Sequence, residues 1–170
     1  MKVQRSFFRT SLVMGALLWL AGCGGVPGTA PKPEAMAGTV TSSAGLNPDF
    51  QGRASPVVLR VYQLKGAGSF RSADFFSLYN NAKGVLAADL VSSDELRVQP
   101  GATMAYETEF DPATKYVAVL AAFRDIENAS WRSVEQLPEG SLVGTLKFWK
   151  DNHLQITLQD LAVSVAIVKQ

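Results

Sequence analysis

Cysteine and histidine are almost absent from this 170-residue chain, which contains one of each. A single cysteine cannot form a disulfide within the chain and cannot supply a zinc site built from several cysteines. A single histidine disfavours a histidine-based metal site. The chain also lacks an excess of one charge, because 16 Lys and Arg stand against 15 Asp and Glu. Nucleic-acid binding normally needs a basic surplus, so the composition argues against that class of protein.

The remaining composition is that of one globular domain. Hydrophobic residues make up 47% of the chain and charged residues 18%, which are ordinary values for a folded protein. The length corresponds to about one domain.

The first 22 residues have the pattern of a secretory signal. Lys2, Arg5 and Arg9 precede a short apolar run at residues 11–20, and no acidic residue occurs before Glu34. A basic start followed by a short apolar run and small residues is typical of such signals. The run is about half of the ~20 residues that a membrane-spanning helix needs. We therefore expect a cleaved signal at residues 1–22.

The end of this signal resembles a bacterial lipobox, since Leu20, Ala21 and Gly22 stand directly before Cys23. That resemblance implies attachment of diacylglycerol to the Cys23 thiol, cleavage before Cys23 and acylation of the new amine. Gly24 follows where an Asp would favour the inner membrane, which implies the outer membrane, with the protein facing the periplasm. The alternative is an ordinary signal with a chance cysteine near the cut. Loss of residues 1–22, which carry three basic and no acidic side chains, changes the net charge from +1 to −2.

The segment after Cys23 is rich in glycine, proline and alanine. No periodic apolar pattern occurs at residues 24–38, as is typical of a flexible linker. We therefore predict a lipidated cysteine and tether at residues 23–38, with the folded domain at residues 39–170.

Period-two alternation of apolar and polar residues runs through most of the predicted domain. Seven or eight short strands separated by turn residues indicate an antiparallel β-sandwich. Residues 116–123 are apolar on both faces, which predicts a central strand covered on both sides. The predicted strands lie at residues 39–46, 57–64, 95–99, 104–110, 116–123, 130–134, 154–159 and 163–167.

One segment, at about residues 70–90, follows a helical period instead. Phe75, Leu78 and Tyr79 have the spacing i, i+3, i+4, which predicts one or two short helices packed on the sandwich. Ser72 is the expected N-cap, with Asp74 in the first turn.

The sequence offers little catalytic chemistry. His153 has no recognisable triad motif around it, and we expect a solvent-facing histidine in a turn. Glu107 and Glu109 share one strand face, where protection of a sheet edge explains them without catalysis. No phosphate loop or metal-ligand spacing is present. We therefore predict no enzymatic activity, no metal and no cofactor other than the covalent lipid on Cys23.

A binding surface remains. The loop after the first predicted strand carries Phe50 between Asp49 and Arg53, and aromatic and arginine side chains often anchor interfaces. The alternative is that Phe50 folds back and caps the edge of the sandwich. A second cluster, Phe148 and Trp149 between Lys147 and Lys150, is either an exposed patch or part of the core.

Several motifs together resemble the TssJ family, the outer-membrane lipoproteins of bacterial type VI secretion systems. They are the lipobox, the tether, Leu46-Asn47-Pro48-Asp49, the strand Ser-Pro-Val-Val-Leu-Arg-Val-Tyr-Gln-Leu at residues 55–64, Phe70, Ala73-Asp74-Phe75 and Val98-Gln99-Pro100-Gly101. The resemblance covers the whole mature chain.

This resemblance implies a transthyretin-like β-sandwich with a small helical insertion. It implies that the protein binds the periplasmic C-terminal region of the large inner-membrane component, TssM, and helps to dock the contractile apparatus. The loop between the first two strands would make that contact, through Leu46, Asn47, Pro48, Asp49, Phe50, Gln51, Gly52 and Arg53. The alternatives are a periplasmic ligand-binding lipoprotein unrelated to secretion and a transthyretin-like hydrolase, although such hydrolases use several histidines and this chain has one.

Overall fold

A computed structural model describes residues 34–138 and 152–169 of the chain. The predicted signal, the lipobox, Cys23, most of the tether, and the Phe148 and Trp149 cluster lie outside these residues. The strands are β1 Glu34–Ser42, β2 Val57–Leu64, β3 Leu90–Val98, β4 Thr103–Phe110, β5 Tyr116–Ala121, β6 Arg132–Gln136, β7 Asn152–Gln159 and β8 Ala162–Lys169. The helices are α1 Gly68–Ser72 and α2 Phe75–Leu86, followed by a 3₁₀ turn at Ala87–Asp89.

The strands form two four-stranded sheets, in the orders β4-β1-β7-β8 and β3-β2-β5-β6. The mainly β fold with a helical insertion is therefore confirmed. Antiparallel pairing dominates both sheets, as predicted, and the pairing of β1 with β7 is parallel. None of the helices in the described ranges is long and apolar enough to cross a membrane.

The first strand begins earlier than the composition predicted. β1 starts at Glu34 rather than Thr39, so the last five residues of the predicted tether belong to the sheet. These residues pair with β4 on one side, and Gly38 begins the pairing with β7 on the other. A Cβ at Gly38 would lie 2.9 Å from the Leu154 carbonyl oxygen, so a residue typical of linkers is required here by close packing of backbones.

The core has two layers, one on each face of the β2–β5 pair. The layer between the sheets contains alternate side chains of β2, namely Val57, Leu59 and Val61. They pack against buried side chains from the opposite sheet. On the outer face, the insertion covers Tyr62, Leu64, Ala118 and Leu120 with Phe70, Leu78 and Leu86. The predicted central strand, β5, is thus covered on both sides, as its apolar sequence indicated.

The helical insertion starts at a different cap from the predicted one. Asp74, not Ser72, is the N-cap of α2, and its Oδ1 accepts the Ser77 backbone N–H at 2.9 Å. The helix is kinked at Asn81, whose Oδ1 accepts the Gly84 N–H at 3.1 Å. Asn81 therefore caps a second short helix, in agreement with the expectation of one or two helices.

Two arginines from the sheet fasten this insertion. Arg60 of β2 donates to the Tyr79 carbonyl oxygen at 2.6 Å and pairs with Glu95 at 2.8 Å. Arg132 of β6 donates to the Ala73 carbonyl oxygen at 2.6 Å. Because each guanidinium satisfies a helix-end or kink carbonyl, the insertion is held at the junction of α1 with α2 and near the kink of α2.

Candidate partner-binding site

The loop between β1 and β2 divides into a buried root and an exposed tip. Of the eight predicted contact residues, Leu46 and Asn47 are buried, with exposed fractions of 0% and 2%. The prediction that these two side chains contact a partner is therefore corrected: they belong to the support of the loop. The available surface comprises Pro48 to Arg53.

Asn47 joins this loop to two others. Its Nδ2 donates to the Pro56 carbonyl oxygen, and its Oδ1 accepts the backbone N–H of Arg124, both at 2.8 Å. Its own N–H donates to the Asp160 carbonyl oxygen at 2.8 Å. The backbone of Asn47 is left-handed, with φ of 51°, a conformation that asparagine tolerates better than most residues. One residue thus sets the positions of the β1–β2, β5–β6 and β7–β8 connections.

The exposed tip is organised by Asp49. Its Oδ1 accepts the backbone N–H groups of Gln51 and Arg53 at 2.8 and 3.0 Å. Its Oδ2 lies 2.8 Å from both Nε and a terminal nitrogen of Arg53. Gly52 has φ of 77°, which glycine adopts without strain. The tip is therefore a closed turn with its own hydrogen bonds.

The same contacts set the ionisation of Asp49. The backbone N–H of Arg53 is the largest cause that holds the pKa of this carboxyl below its ordinary value, with contributions from the Arg53 side chain and the Gln51 N–H. The more distant charge of Arg124 acts in the same direction. The carboxylate that closes the turn is consequently charged at neutral pH.

Phe50 projects from this turn into solvent. Its exposed fraction is 93%, so the alternative that it folds back over the sandwich edge is wrong. Phe76 on α2, at 61%, is the other large hydrophobic residue exposed among those the structure describes. An aromatic ring held in water by a rigid turn is typical of an interface anchor.

A cavity of about 470 Å³ lies beside Phe50. Its walls come from the tip and from the two connections that Asn47 joins to it: Pro48, Asp49, Phe50, Arg124, Asp125 and Leu161. Arg124 and Leu161 were missed by the sequence analysis. No local sequence signal identifies them, because they reach the site only through the pairing of distant strands.

The remaining sequence candidates show no assembled catalytic or metal site. His153 lies within β7 rather than in a turn, which corrects the prediction, and its Nε2 is 2.7 Å from the Thr39 hydroxyl oxygen. Glu107 and Glu109 are exposed on β4, an edge strand, as edge protection requires. Across residues 34–138 and 152–169, no cluster of three or more His, Cys, Asp and Glu side chains is placed to hold a metal ion.

Comparison with known proteins gives consistent matches. Residues 34–161 match a family of type VI secretion lipoproteins whose members include VasD, EvfM and TssJ. The crystal structure of the lipoprotein TssJ1 from Pseudomonas aeruginosa has a TM-score of 0.71 and 33% identity, over 82% of this chain and 99% of that chain.

Two further structures resemble this chain. Serratia marcescens Lip, described as a membrane-bound component of the type VI secretion system, has a TM-score of 0.69 and 26% identity, over 82% of this chain and 99% of its own. A chain of a type VI membrane complex has a TM-score of 0.65 and 25% identity, over 79% of this chain and 99% of that chain. The sequence matches no curated protein.

Proposed function

The chain belongs to the type VI secretion lipoprotein family that includes VasD, EvfM and TssJ, and we propose that it is the outer-membrane-anchored structural lipoprotein of a type VI secretion membrane complex. It binds the periplasmic C-terminal region of the large inner-membrane component, TssM, and helps to dock the contractile apparatus. It acts by binding, on a transthyretin-like β-sandwich, and catalyses no reaction.

The anchor is the acylated Cys23, after cleavage of residues 1–22 behind the lipobox Leu20, Ala21 and Gly22. Several acyl chains, each contributing ~0.8 kcal/mol per buried CH₂, hold a protein stably on a bilayer. Because β1 begins at Glu34, the tether comprises residues 24–33. A tether of this length reaches at most roughly 35 Å when fully extended, so the domain works close to the membrane surface.

The exposure of Phe50 is the observation that carries the partner-binding role. A turn closed by Asp49 and Arg53 holds the ring 93% exposed, and Asn47 fixes that turn to the sandwich. A preorganised loop loses little conformational entropy on binding, so the burial of one aromatic ring contributes strongly to affinity. The similarity to a chain of a type VI membrane complex supports the same role.

Replacement of Phe50 tests this proposal. We expect Phe50→Ser, in the detergent-solubilised mature lipoprotein, to bind the purified periplasmic region of TssM at least about tenfold more weakly than the wild type. Phe76→Ser is the matched control, because it removes an exposed ring on α2 and should leave affinity unchanged. Titration calorimetry measures both. Equal affinity of Phe50→Ser and wild type would remove the loop from the interface.

A further inference from the structure

The cavity beside Phe50 contains three charged side chains, and two of them have their hydrogen-bonding atoms occupied. Both Asp49 oxygens accept bonds within the turn. Asp125 accepts the Asn128 backbone N–H at 3.3 Å and the Asn128 side-chain amide at 2.9 and 3.0 Å. Asp49 is thus paired with Arg53 within the turn, and Asp125 is hydrogen-bonded to Asn128.

Arg124 is the third charged group, and its side chain makes no hydrogen bond or ion pair with residues 34–138 or 152–169. Its backbone is fixed by Asn47, while its side chain is exposed. Within the part of the chain that the structure describes, the ion pairs are Arg53–Asp49 and Arg60–Glu95, and Arg124 belongs to neither. A guanidinium offers five N–H donors in a planar fork that matches the two oxygens of a carboxylate.

The rest of the cavity wall is apolar. Pro48, Phe50 and Leu161 line it together with the charged groups. Apolar walls beside one cationic donor favour a ligand with an apolar group next to an anion. Because the three connections are joined through Asn47, the apolar walls and the backbone of Arg124 keep a fixed separation.

We propose that this cavity is a specificity site that takes an apolar side chain of the TssM periplasmic region while Arg124 binds a neighbouring Asp or Glu carboxylate of the same segment. This inference rests on the proposed function, since it identifies the chemistry of the segment that the lipoprotein receives. It makes Arg124 and Leu161 contact residues in addition to the tip of the β1–β2 loop. Complementary charge at such a site contributes specificity as well as affinity.

Charge reversal at Arg124 tests the proposal in the mature, detergent-solubilised lipoprotein titrated with the purified TssM periplasmic region. We expect Arg124→Glu to weaken binding by roughly ten- to a hundredfold. Arg124→Lys should have a smaller effect, because it keeps the charge but loses the planar fork. Lys115→Glu is the matched control: it makes the same change of charge just before β5, whereas Arg124 follows the other end of that strand.

Each result supports or overturns the cavity proposal. Weaker binding by Arg124→Glu alone, with unchanged melting temperature, supports the proposal. If wild type and Arg124→Glu bind equally well, the cavity inference is overturned while the proposed function stands. If wild type itself fails to bind, both are overturned. If Arg124→Glu reduces only the binding of Cys23→Ser protein to phosphatidylglycerol vesicles, the cavity binds lipid phosphate and the inference is also overturned.

Discussion

Asn47 shows how one buried polar residue supports an exposed binding surface. Its amide bonds to Pro56 and to Arg124, and its left-handed backbone turns the chain toward the tip of the loop. A buried amide that keeps both its donor and its acceptor bonded avoids the desolvation cost of an unpaired group. The exposed Phe50 and the cavity beside it therefore depend on a residue whose own side chain is buried.

We predict that Asn47→Ala destabilises the protein by about 3 kcal/mol. Loss of the side chain leaves the Pro56 carbonyl and the Arg124 N–H without their partner, which costs about 2 kcal/mol. A left-handed alanine adds about 1 kcal/mol. Asn47→Gly removes the same two bonds but tolerates the backbone angle, so it should be less destabilising than Asn47→Ala. Urea unfolding of both variants measures the difference, and equal stability of Asn47→Ala and wild type would contradict the assigned bonds.

The sequence predicted which residues belong to the loop site, but it did not predict which of them are buried. Phe50 in a polar Pro/Gly loop suggested an anchor, and the structure exposes it. Asn47 stands three residues away, is itself polar, and is buried. The difference arises from the Asp160 carbonyl and the Arg124 N–H, which are far away in the chain. Local sequence does not contain that information.

At the scale of the element, α2 is defined by its caps. Asp74 accepts the first free N–H groups of the helix, and hydrogen bonds from Ser77, led by its side chain, hold the pKa of this carboxyl below its ordinary value of 3.8. A carboxylate at a helix N-terminus is also favoured by the helix dipole. The insertion that covers the outer face of β2 and β5 is therefore sensitive to the charge of one exposed residue.

We predict a pH-dependent contribution of this cap. Because the folded-state pKa of Asp74 is lowered, its stabilisation is present above the unfolded pKa and is lost as pH falls through the folded pKa. Asp74→Asn keeps a capping oxygen without a charge that titrates. The melting temperature of wild type relative to Asp74→Asn should therefore stay constant above about pH 5 and decrease as the pH drops to and below 3.8, the ordinary pKa of the carboxyl. A difference in melting temperature that stays the same at all pH values would show that Asp74 stays ionised or does not cap α2.

Most strands could be predicted from alternation, and the exceptions have specific causes. The bounds of β2 agree with the prediction, because branched apolar residues alternate there between two buried faces. The start of β1 was missed because its outward positions are alanines and one inward position is Gly38, which hides the period of two. β3 extends back to Leu90 through exposed Ser92, Ser93, Asp94 and Glu95, whose polarity resembles a loop.

At the scale of the whole domain, the binding surface is produced by strand order. β1 lies between β4 and β7, and its pairing with β7 is parallel. The chain leaving β1 therefore emerges beside the β7–β8 turn and the segment after β5, where Asn47 bonds to both. Alternation of residues predicts strands and their inward faces, but it does not encode which strands are neighbours. The cavity wall supplied by Arg124 and Leu161 follows from that order together with the antiparallel pairing of β2 with β5.

The last prediction concerns the lipid anchor that we propose holds the domain at the outer membrane. Cys23→Ser removes the thiol that we propose is alkylated, so we expect the protein to leave the outer-membrane fraction for the soluble periplasmic fraction and secretion to stop. The domain itself should keep its melting temperature, because β1 begins at Glu34, beyond the tether. Gly24→Asp is the matched control, since it keeps the lipid and should shift the protein to the inner membrane. Density-gradient fractionation with immunoblotting locates each variant. Normal outer-membrane retention and secretion by Cys23→Ser would show that the lipid does not hold the protein, since no other segment is proposed to replace several acyl chains at ~0.8 kcal/mol per CH₂.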